Sequence, residues 1–196
     1  MKKIGYIRKE LIKLYGKEKS NVIIELSQKY YQECLELCKD ASKGEFMHLE
    51  NTILPTTAVY KALLEVDNEN AFKNTKAIII DLCEKGAKVL NGILKLPSMK
   101  SIFMKIMPKM ATKMFGRECG FDYENFEANT SLLQMDMTMC PYVKYAKRFK
   151  VEELTTIFCE SDFATYGNLS GIAFKRTQTL GTGGNKCDFK FIRINK

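Results

Sequence analysis

Five residues near the C-terminal end of this chain have side chains that can do chemistry on a small molecule: Cys140, Cys159, Asp162, Arg176 and Cys187. Cys159 and Asp162 are three positions apart, so they share one face if a helix extends that far. Cys140 ends a predicted strand, a usual place for functional side chains on a rigid scaffold. The spacing therefore predicts one small-molecule site within residues 134–191, and hydrolysis is the chemistry that such a set favours.

Strand parity predicts which of these side chains point inward. In the last predicted strand, Cys187 shares a face with two phenylalanines, so its thiol should face the core. Arg176 shares a face with three apolar residues of the strand before it, where a guanidinium is costly unless it meets a carboxylate. That partner is either a protein group, with Asp162 or Asp188 nearest, or the acid group of a substrate held by two hydrogen bonds.

Two chemistries fit three thiols and a carboxylate. Three thiolates with an Asp or Glu could bind zinc, which would activate a water molecule. Alternatively, one thiolate attacks an electrophilic carbon with the help of a base. His48 is the only histidine, so a Cys–His pair would have to reach across from the helical half, whereas a lone histidine is more often a surface or core residue. Buried cysteine also serves as a small apolar residue, the role predicted for Cys34, Cys38, Cys83 and Cys119.

The elements that must position these side chains fall into two regimes, with helical periodicity over residues 1–115 and most strand signals over 121–194. Helices are predicted from a Ser20-Asn21 cap to about 39, over 44–66 with a bend or break at Pro55, from an Asn68 cap to 94, from 97 to 115, and over 142–149 and 151–163. Strands are predicted over 121–127, 130–139, 171–180 and 187–194. The glycine-rich segment 181–185 predicts a hairpin turn with positive φ.

The fold class that follows is α+β, with an N-terminal helical layer packed on a C-terminal antiparallel sheet of about four strands. A chain of 196 residues with 45% hydrophobic content is long enough for one domain over 1–196 with a full core. The chain has seven cysteines but no CxxC pair, and neither a signal peptide nor a membrane span is predicted. These features together predict reduced thiols in a cytoplasmic protein. A homodimer is compatible with this composition.

The net charge of +8 suggests an anionic partner. Against this, lysines spread along the helices and interleaved with acidic residues are typical of a solvated helical surface. No sequence signature supports nucleic-acid binding, so none is expected. The Met- and Lys-rich helix over 99–115 has three interpretations: an adaptable apolar wall for a ligand, a membrane-surface helix, or an ordinary amphipathic helix on the core. The third is favoured, and Pro108 counts against a long, regular helix in a membrane interface.

Four C-terminal motifs resemble the L-2-amino-thiazoline-4-carboxylic acid hydrolase family: 139–142 (MCPY), 159–162 (CESD), 176–180 (RTQTL) and 183–191 (GGNKCDFKF). The resemblance extends over residues 45–191. It implies hydrolytic opening of a cyclic amidine-like thiazoline to a carbamoyl-cysteine, as in bacterial cysteine formation, by cleavage of a C–N bond. It also implies that seven positions belong to the site. Of these, we predict catalytic roles for Cys140, Cys159, Asp162 and Cys187, and substrate contacts for Arg176, Thr177 and Asp188. In this interpretation Arg176 anchors the acid group and Asp162 positions water or acts as base.

The order of cysteines and the final Cys-x-Phe strand also resemble 4-vinyl reductase domains, which are ligand-binding sensor modules. Some of these modules hold zinc through cysteines, but here Thr177 or Thr179 stands near the position of one further cysteine. This resemblance implies the alternative function, a small-molecule-binding module without turnover. No cofactor is required by the sequence, and zinc at Cys140, Cys159 and Cys187 is the one metal site that it suggests.

Overall fold

The structure, a computed structural model, describes residues 4–194. Its helices and strands confirm the predicted α+β class and the order of the two regimes. The helices are α1 (Ile4–Glu36), α2 (Lys43–His48), α3 (Leu54–Val66), α4 (Ala71–Leu94), α5 (Met99–Met114), α6 (Pro141–Arg148) and α7 (Leu154–Tyr166). The strands are β1 (Asp122–Ala128), β2 (Leu132–Met139), β3 (Ile172–Lys175) and β4 (Cys187–Arg193).

The four strands form one antiparallel sheet in the order β1-β2-β4-β3. Alternate residues of β2 are apolar, and its partners on β4 continue the same face: Met137 lies opposite Cys187, and Met135 lies opposite Phe189. Because side chains alternate between the two faces of a strand, this register gives the sheet one apolar face. The helices cover that face, and the cysteine at the start of β4 therefore points toward them.

The first helix begins earlier than the predicted Ser20-Asn21 cap. α1 starts at Ile4 and is interrupted only at Gly16, which has a φ of 72°. Ser20 lies inside the helix, where its hydroxyl donates to the carbonyl of Gly16 at 2.5 Å instead of capping a new helix. Positive φ is accessible to glycine at little cost, so the break occurs at the glycine rather than at the serine.

The predicted break near Pro55 is confirmed as a π-helical turn over Leu49–Ile53 between α2 and α3. Pro55 lies in the first turn of α3, where a missing N–H costs nothing. The next helix differs slightly from its prediction: Asn68–Asn70 form a 3-10 turn, and α4 begins at Ala71 without a side-chain cap.

The predicted strand over 171–180 is too long, since β3 ends at Lys175. The backbone N–H groups of Thr177 and Gln178 donate to the carboxylate of Asp188, each at 2.9 Å, so they leave the ladder. Leu180–Thr182 then forms a 3-10 turn that Thr179 caps, and Gly183 has a φ of 87°. The segment between β3 and β4 thus contains a capped 3-10 turn and is not a simple hairpin turn.

The buried side chains form two clusters, one within the helical layer and one between α5 and the sheet, and Tyr142 packs against both. No helix within residues 4–194 is long and apolar enough to cross a membrane.

We expect Gly44→Ala to destabilise the fold, because a Cβ at this position would lie 2.3 Å from the backbone carbonyl oxygen of Glu118. Backbone must move to relieve that clash, which should lower the free energy of unfolding by about 1–3 kcal/mol. Thermal or urea unfolding measures the change. Gly86→Ala is the control, since it lies in α4 with open space around it and should stabilise by up to about 1 kcal/mol. Equal stability of the two variants would contradict the close packing of Gly44 against the backbone of Glu118.

Candidate functional site

The structure brings the three motif cysteines and Asp162 to the wall of one cavity of about 310 Å³. Side chains of the helical layer and of the apolar sheet face both contribute to the wall. Cys140 comes from the N-cap of α6, Cys159 and Asp162 from α7, and Cys187 from the first position of β4. Residues distant in the chain therefore line one partly open cavity, as the sequence analysis predicts.

Helix α7 presents both of its site residues to the cavity. Cys159 and Asp162 lie one turn apart on the same face, and Tyr166 continues that face one turn later. The predicted sharing of a helix face is confirmed. The helix starts and ends three residues later than predicted, which places Asp162 inside it rather than at its end.

Arg176 is buried and pairs with Asp162. Its Nη1 donates to Oδ2 of Asp162 at 2.5 Å, and its side chain is only 4% exposed. Nη2 donates to the backbone carbonyl of Cys159 at 2.8 Å. The guanidinium also lies over two aromatic rings, with its Cζ 4.9 Å from the centroid of Phe163 and 5.4 Å from that of Phe189.

Of the carboxylates considered for Arg176, the structure selects Asp162. The guanidinium is not part of the cavity wall, and its donors are directed at α7. The position thus gives no support to the predicted role of Arg176 as the anchor of a substrate acid group. Its observed role is to hold Asp162.

Asp162 keeps one side open to the cavity. Its side chain is 30% exposed, and within residues 4–194 no donor is bonded to its Oδ1. Burial raises the pKa of this carboxyl to about 6, although Arg176 acts in the opposite direction. At neutral pH the group is therefore mainly ionised, yet basic enough to accept a proton from a bound water molecule.

The three thiols are protonated at neutral pH. Burial raises the pKa of Cys140 to about 12 and that of Cys187 to about 11, and it also raises the pKa of Cys159. A thiolate is the nucleophilic and metal-binding form of cysteine. The cavity thus contains neutral sulfur, and Asp162 is the only acidic residue of its described wall.

The loop between β3 and β4 closes against two of the cysteines. The N–H of Leu180 donates to the sulfur of Cys187 at 3.2 Å, and the hydroxyl of Thr155 on α7 donates to the carbonyl of Gly181 at 2.9 Å. A Cβ on Gly181 would lie 2.7 Å from the sulfur of Cys159. Glycine at position 181 therefore lets this loop pack directly on the thiol.

Thr177 and Asp188 lie outside the cavity wall, so their position gives no support to the predicted substrate contacts, which stay predictions of the sequence. Cys187 faces the cavity, so its neighbour Asp188 must point to the opposite face of the sheet. There its carboxylate accepts from the hydroxyl of Thr177 at 2.6 Å as well as from two backbone N–H groups. Despite burial, these hydrogen bonds lower the pKa of Asp188, whose role is to shape the loop.

His48 does not reach the cysteines, and both of its ring nitrogens are engaged. Nε2 lies 2.7 Å from the carbonyl oxygen of Met114, which can only accept, so Nε2 carries the proton. Nδ1 then accepts from the hydroxyl of Tyr142 at 3.1 Å. Burial lowers the pKa of His48, so the ring is neutral and links α5 to Tyr142 in the cavity wall.

Within the described residues, no group of three or more His, Cys, Asp or Glu side chains is arranged to hold a metal ion. Zinc binding by Cys140, Cys159 and Cys187 is therefore not supported by this arrangement of ligands and stays a prediction of the sequence.

Sequence reasoning missed several polar side chains in the cavity wall, among them Cys83, Tyr142 and Tyr166. Tyr142 follows Cys140 by two positions at the start of α6, a spacing that could have found it. Cys83 lies on α4 in the helical half, where only the packing of α4 on α7 reveals its place. From the Met-rich helix, Met107 lines the cavity, whereas Met110 is exposed.

Comparison with known proteins agrees with this geometry. No curated protein matches the chain. A family model described as L-2-amino-thiazoline-4-carboxylic acid hydrolase matches residues 47–191, a range that contains every motif cysteine, Asp162 and Arg176. The chain therefore belongs to the L-2-amino-thiazoline-4-carboxylic acid hydrolase family.

Proposed function

We propose that this protein hydrolyses a C–N bond of a small cyclic amidine, and that Asp162 is the general base. The observation that supports this proposal is the position of Asp162: an accessible carboxylate with a pKa of about 6 in the wall of a partly open, mostly apolar cavity. Membership of the family makes hydrolysis the reaction class. The first substrate to test is 2-amino-thiazoline-4-carboxylate.

The reaction needs one base that later acts as an acid. Asp162 removes a proton from water as the water oxygen bonds to C2, the amidine carbon between the ring sulfur and the ring nitrogen. The π electron pair of the C2=N bond moves to the ring nitrogen, which takes this proton from Asp162. Asp162 then removes the proton of the new C2 hydroxyl, the C2–N bond breaks as the carbonyl forms, and the ring nitrogen takes this second proton as well. The product is an S-carbamoyl-cysteine. Cleavage of the C–S bond would instead give the N-carbamoyl isomer with a free thiol, so a thiol reagent distinguishes the two products.

Arg176 acts through Asp162 rather than on the substrate. Its ion pair favours the ionised form of the carboxyl and opposes the effect of burial on the pKa. Its second bond, to the carbonyl of Cys159, holds the guanidinium against the same helix. Two fixed hydrogen bonds thus orient the base toward the cavity, as catalysis by a positioned carboxylate requires.

The cavity wall suggests what the substrate must carry. It includes no lysine, arginine or histidine among the described residues, so a substrate carboxylate has no cationic partner there. A neutral or cationic amidine ring suits the apolar wall and Asp162 better. We therefore expect the amidine, rather than the acid group, to dominate recognition. Comparison of 2-amino-thiazoline-4-carboxylate with 2-amino-thiazoline, which lacks the acid, measures this directly.

The size and apolar character of the cavity also favour a second candidate, ligand binding without turnover. Protonated thiols are as compatible with a cavity that only binds a ligand as with a cavity that catalyses a reaction. A ligand that copurifies with the protein, together with no hydrolysis of any cyclic amidine, would favour this candidate.

Asp162→Asn should lower kcat/KM by at least about a hundredfold, because removal of a general base costs that much or more. Glu160→Gln is the control: it changes a carboxylate of the same helix that pairs with Lys76 at the surface, so it should leave activity unchanged. Circular dichroism checks that both variants fold. Full activity of Asp162→Asn would remove Asp162 from the mechanism.

Single Cys→Ala substitutions at 140, 159 and 187 should each keep activity within about tenfold, since protonated thiols do not attack. Steady-state rates and mass spectrometry of the protein quenched during turnover test this. A loss beyond about a thousandfold in one variant, with a covalent adduct on that cysteine in the parent protein, would replace water with that thiol as the nucleophile.

The pH profile should follow the Asp162 carboxylate. The ionised form is the base, so log(kcat/KM) should be level above pH 7 and fall as pH decreases through about 6, approaching a tenfold loss for each further pH unit. Thiol ionisation should not affect the profile below about pH 9, because burial raises the pKa of all three. A flat profile between pH 5 and 7 would contradict the role of Asp162.

A further inference from the structure

The net charge of this protein comes from one segment. Between residues 85 and 117 the sequence has eight basic residues and no acidic one, and in the rest of the chain 23 basic residues balance 23 acidic ones. The eight are Lys85, Lys88, Lys95, Lys100, Lys105, Lys109, Lys113 and Arg117. This segment comprises the second half of α4, the connecting turn and α5, so the lysines there are not interleaved with acids as they are on α1.

The same segment exposes large aliphatic side chains. Of the fourteen large apolar residues that are exposed in the described chain, six lie here, with 40% to 67% of their surface accessible. These six are Val89, Ile93, Leu96, Ile102, Ile106 and Met110. A run of this kind on a small part of the surface differs from the scattered single apolar residues that any protein exposes.

On α5 the two features share one side of the helix. Ile102, Ile106 and Met110 follow each other at intervals of four, and Lys105, Lys109 and Lys113 form an adjacent row at the same spacing. These three lysines are exposed, and none has an ion-pair partner among residues 4–194. The opposite side of α5 packs inward, since Met104 is buried and Met107 lines the cavity.

We propose that the outer face of α5, with the adjoining end of α4, docks on an anionic lipid membrane. Aliphatic side chains beside a row of lysines form the pattern of a helix that lies in the interface of a bilayer, with its apolar residues among the acyl chains and its lysines at the phosphates. Each lysine close to such a surface contributes roughly a factor of five to the affinity. The docked protein needs no spanning helix, which agrees with the described chain.

Other occupants fit this face less well. A second copy of the chain would bring two sets of positive charges together, and six in each set have no ion-pair partner among residues 4–194, which is unfavourable. Single-stranded nucleic acids bind in positively charged grooves where aromatic rings stack on the bases, whereas the six large exposed apolar residues of this face include no aromatic ring. Membrane binding is also compatible with the position of the cavity, because the outer side of α5 would contact lipid while its inner side contacts an apolar ligand.

Sedimentation with vesicles tests the proposal on the full chain without substrate, so the result does not depend on the proposed activity. Binding is expected with phosphatidylcholine vesicles containing about 30% phosphatidylserine, to be absent with phosphatidylcholine alone, and to weaken as salt increases. The triple variant Lys105→Glu, Lys109→Glu, Lys113→Glu should bind at least about a hundredfold more weakly. Ile102→Ser with Ile106→Ser should lose at least about tenfold.

Matched controls carry the same changes elsewhere. Lys9→Glu, Lys17→Glu, Lys73→Glu alters the total charge equally at exposed lysines outside the segment, and Ile12→Ser with Leu14→Ser alters exposed apolar residues of α1. Both controls should bind vesicles like the parent protein. The proposal would be overturned if the parent protein did not bind the vesicles, or if the controls and the α5 variants lost vesicle binding equally. It would also be overturned if heparin or an acidic protein retained the parent protein and the Ile102→Ser, Ile106→Ser variant equally well.

Discussion

The candidate site depends on the buried ion pair between Arg176 and Asp162. Arg176 comes from the residue after β3 and Asp162 from the middle of α7, so the pair fastens the sheet edge to the helix that supplies two site residues. A guanidinium that is 4% exposed is costly in free energy unless every donor is used productively. Here the two aromatic rings and the Cys159 carbonyl complete its environment, and the geometry of the base follows from that arrangement.

The same pair explains why one carboxylate is enough in an otherwise uncharged cavity. Apolar walls disfavour ionisation of every group there, and the three thiols respond by staying protonated. Asp162 alone has a permanent cation beside it, so it remains mainly ionised at neutral pH. The protein thereby confines negative charge to a single position in the wall, and this position is the one that the sequence spacing on α7 points to.

Much of this arrangement could be predicted from local patterns. The alternation of apolar and polar residues along β2 and β4 predicts that Cys187 points inward. The three-residue spacing on α7 predicts that Cys159 and Asp162 share one face of the helix. The early end of β3 could not be predicted, because it depends on hydrogen bonds from residues 177 and 178 to a carboxylate eleven positions away from the first of them. The positions of Thr177 and Asp188 could not be predicted for the same reason, since tertiary hydrogen bonds rather than spacing place them on the far face. Cys83 and the link from His48 to Tyr142 depend on helix packing, which no local pattern encodes.

The engagement of His48 at both nitrogens has a further consequence for how this protein takes up protons. The chain has a single histidine, and burial keeps its ring neutral as acidity increases toward the range where imidazoles normally titrate. Burial raises the pKa of Asp162 to about 6, so this carboxyl changes charge close to neutrality. The difference between titrations of the parent protein and of Asp162→Asn around pH 6 would therefore isolate a proton that is taken up inside the molecule.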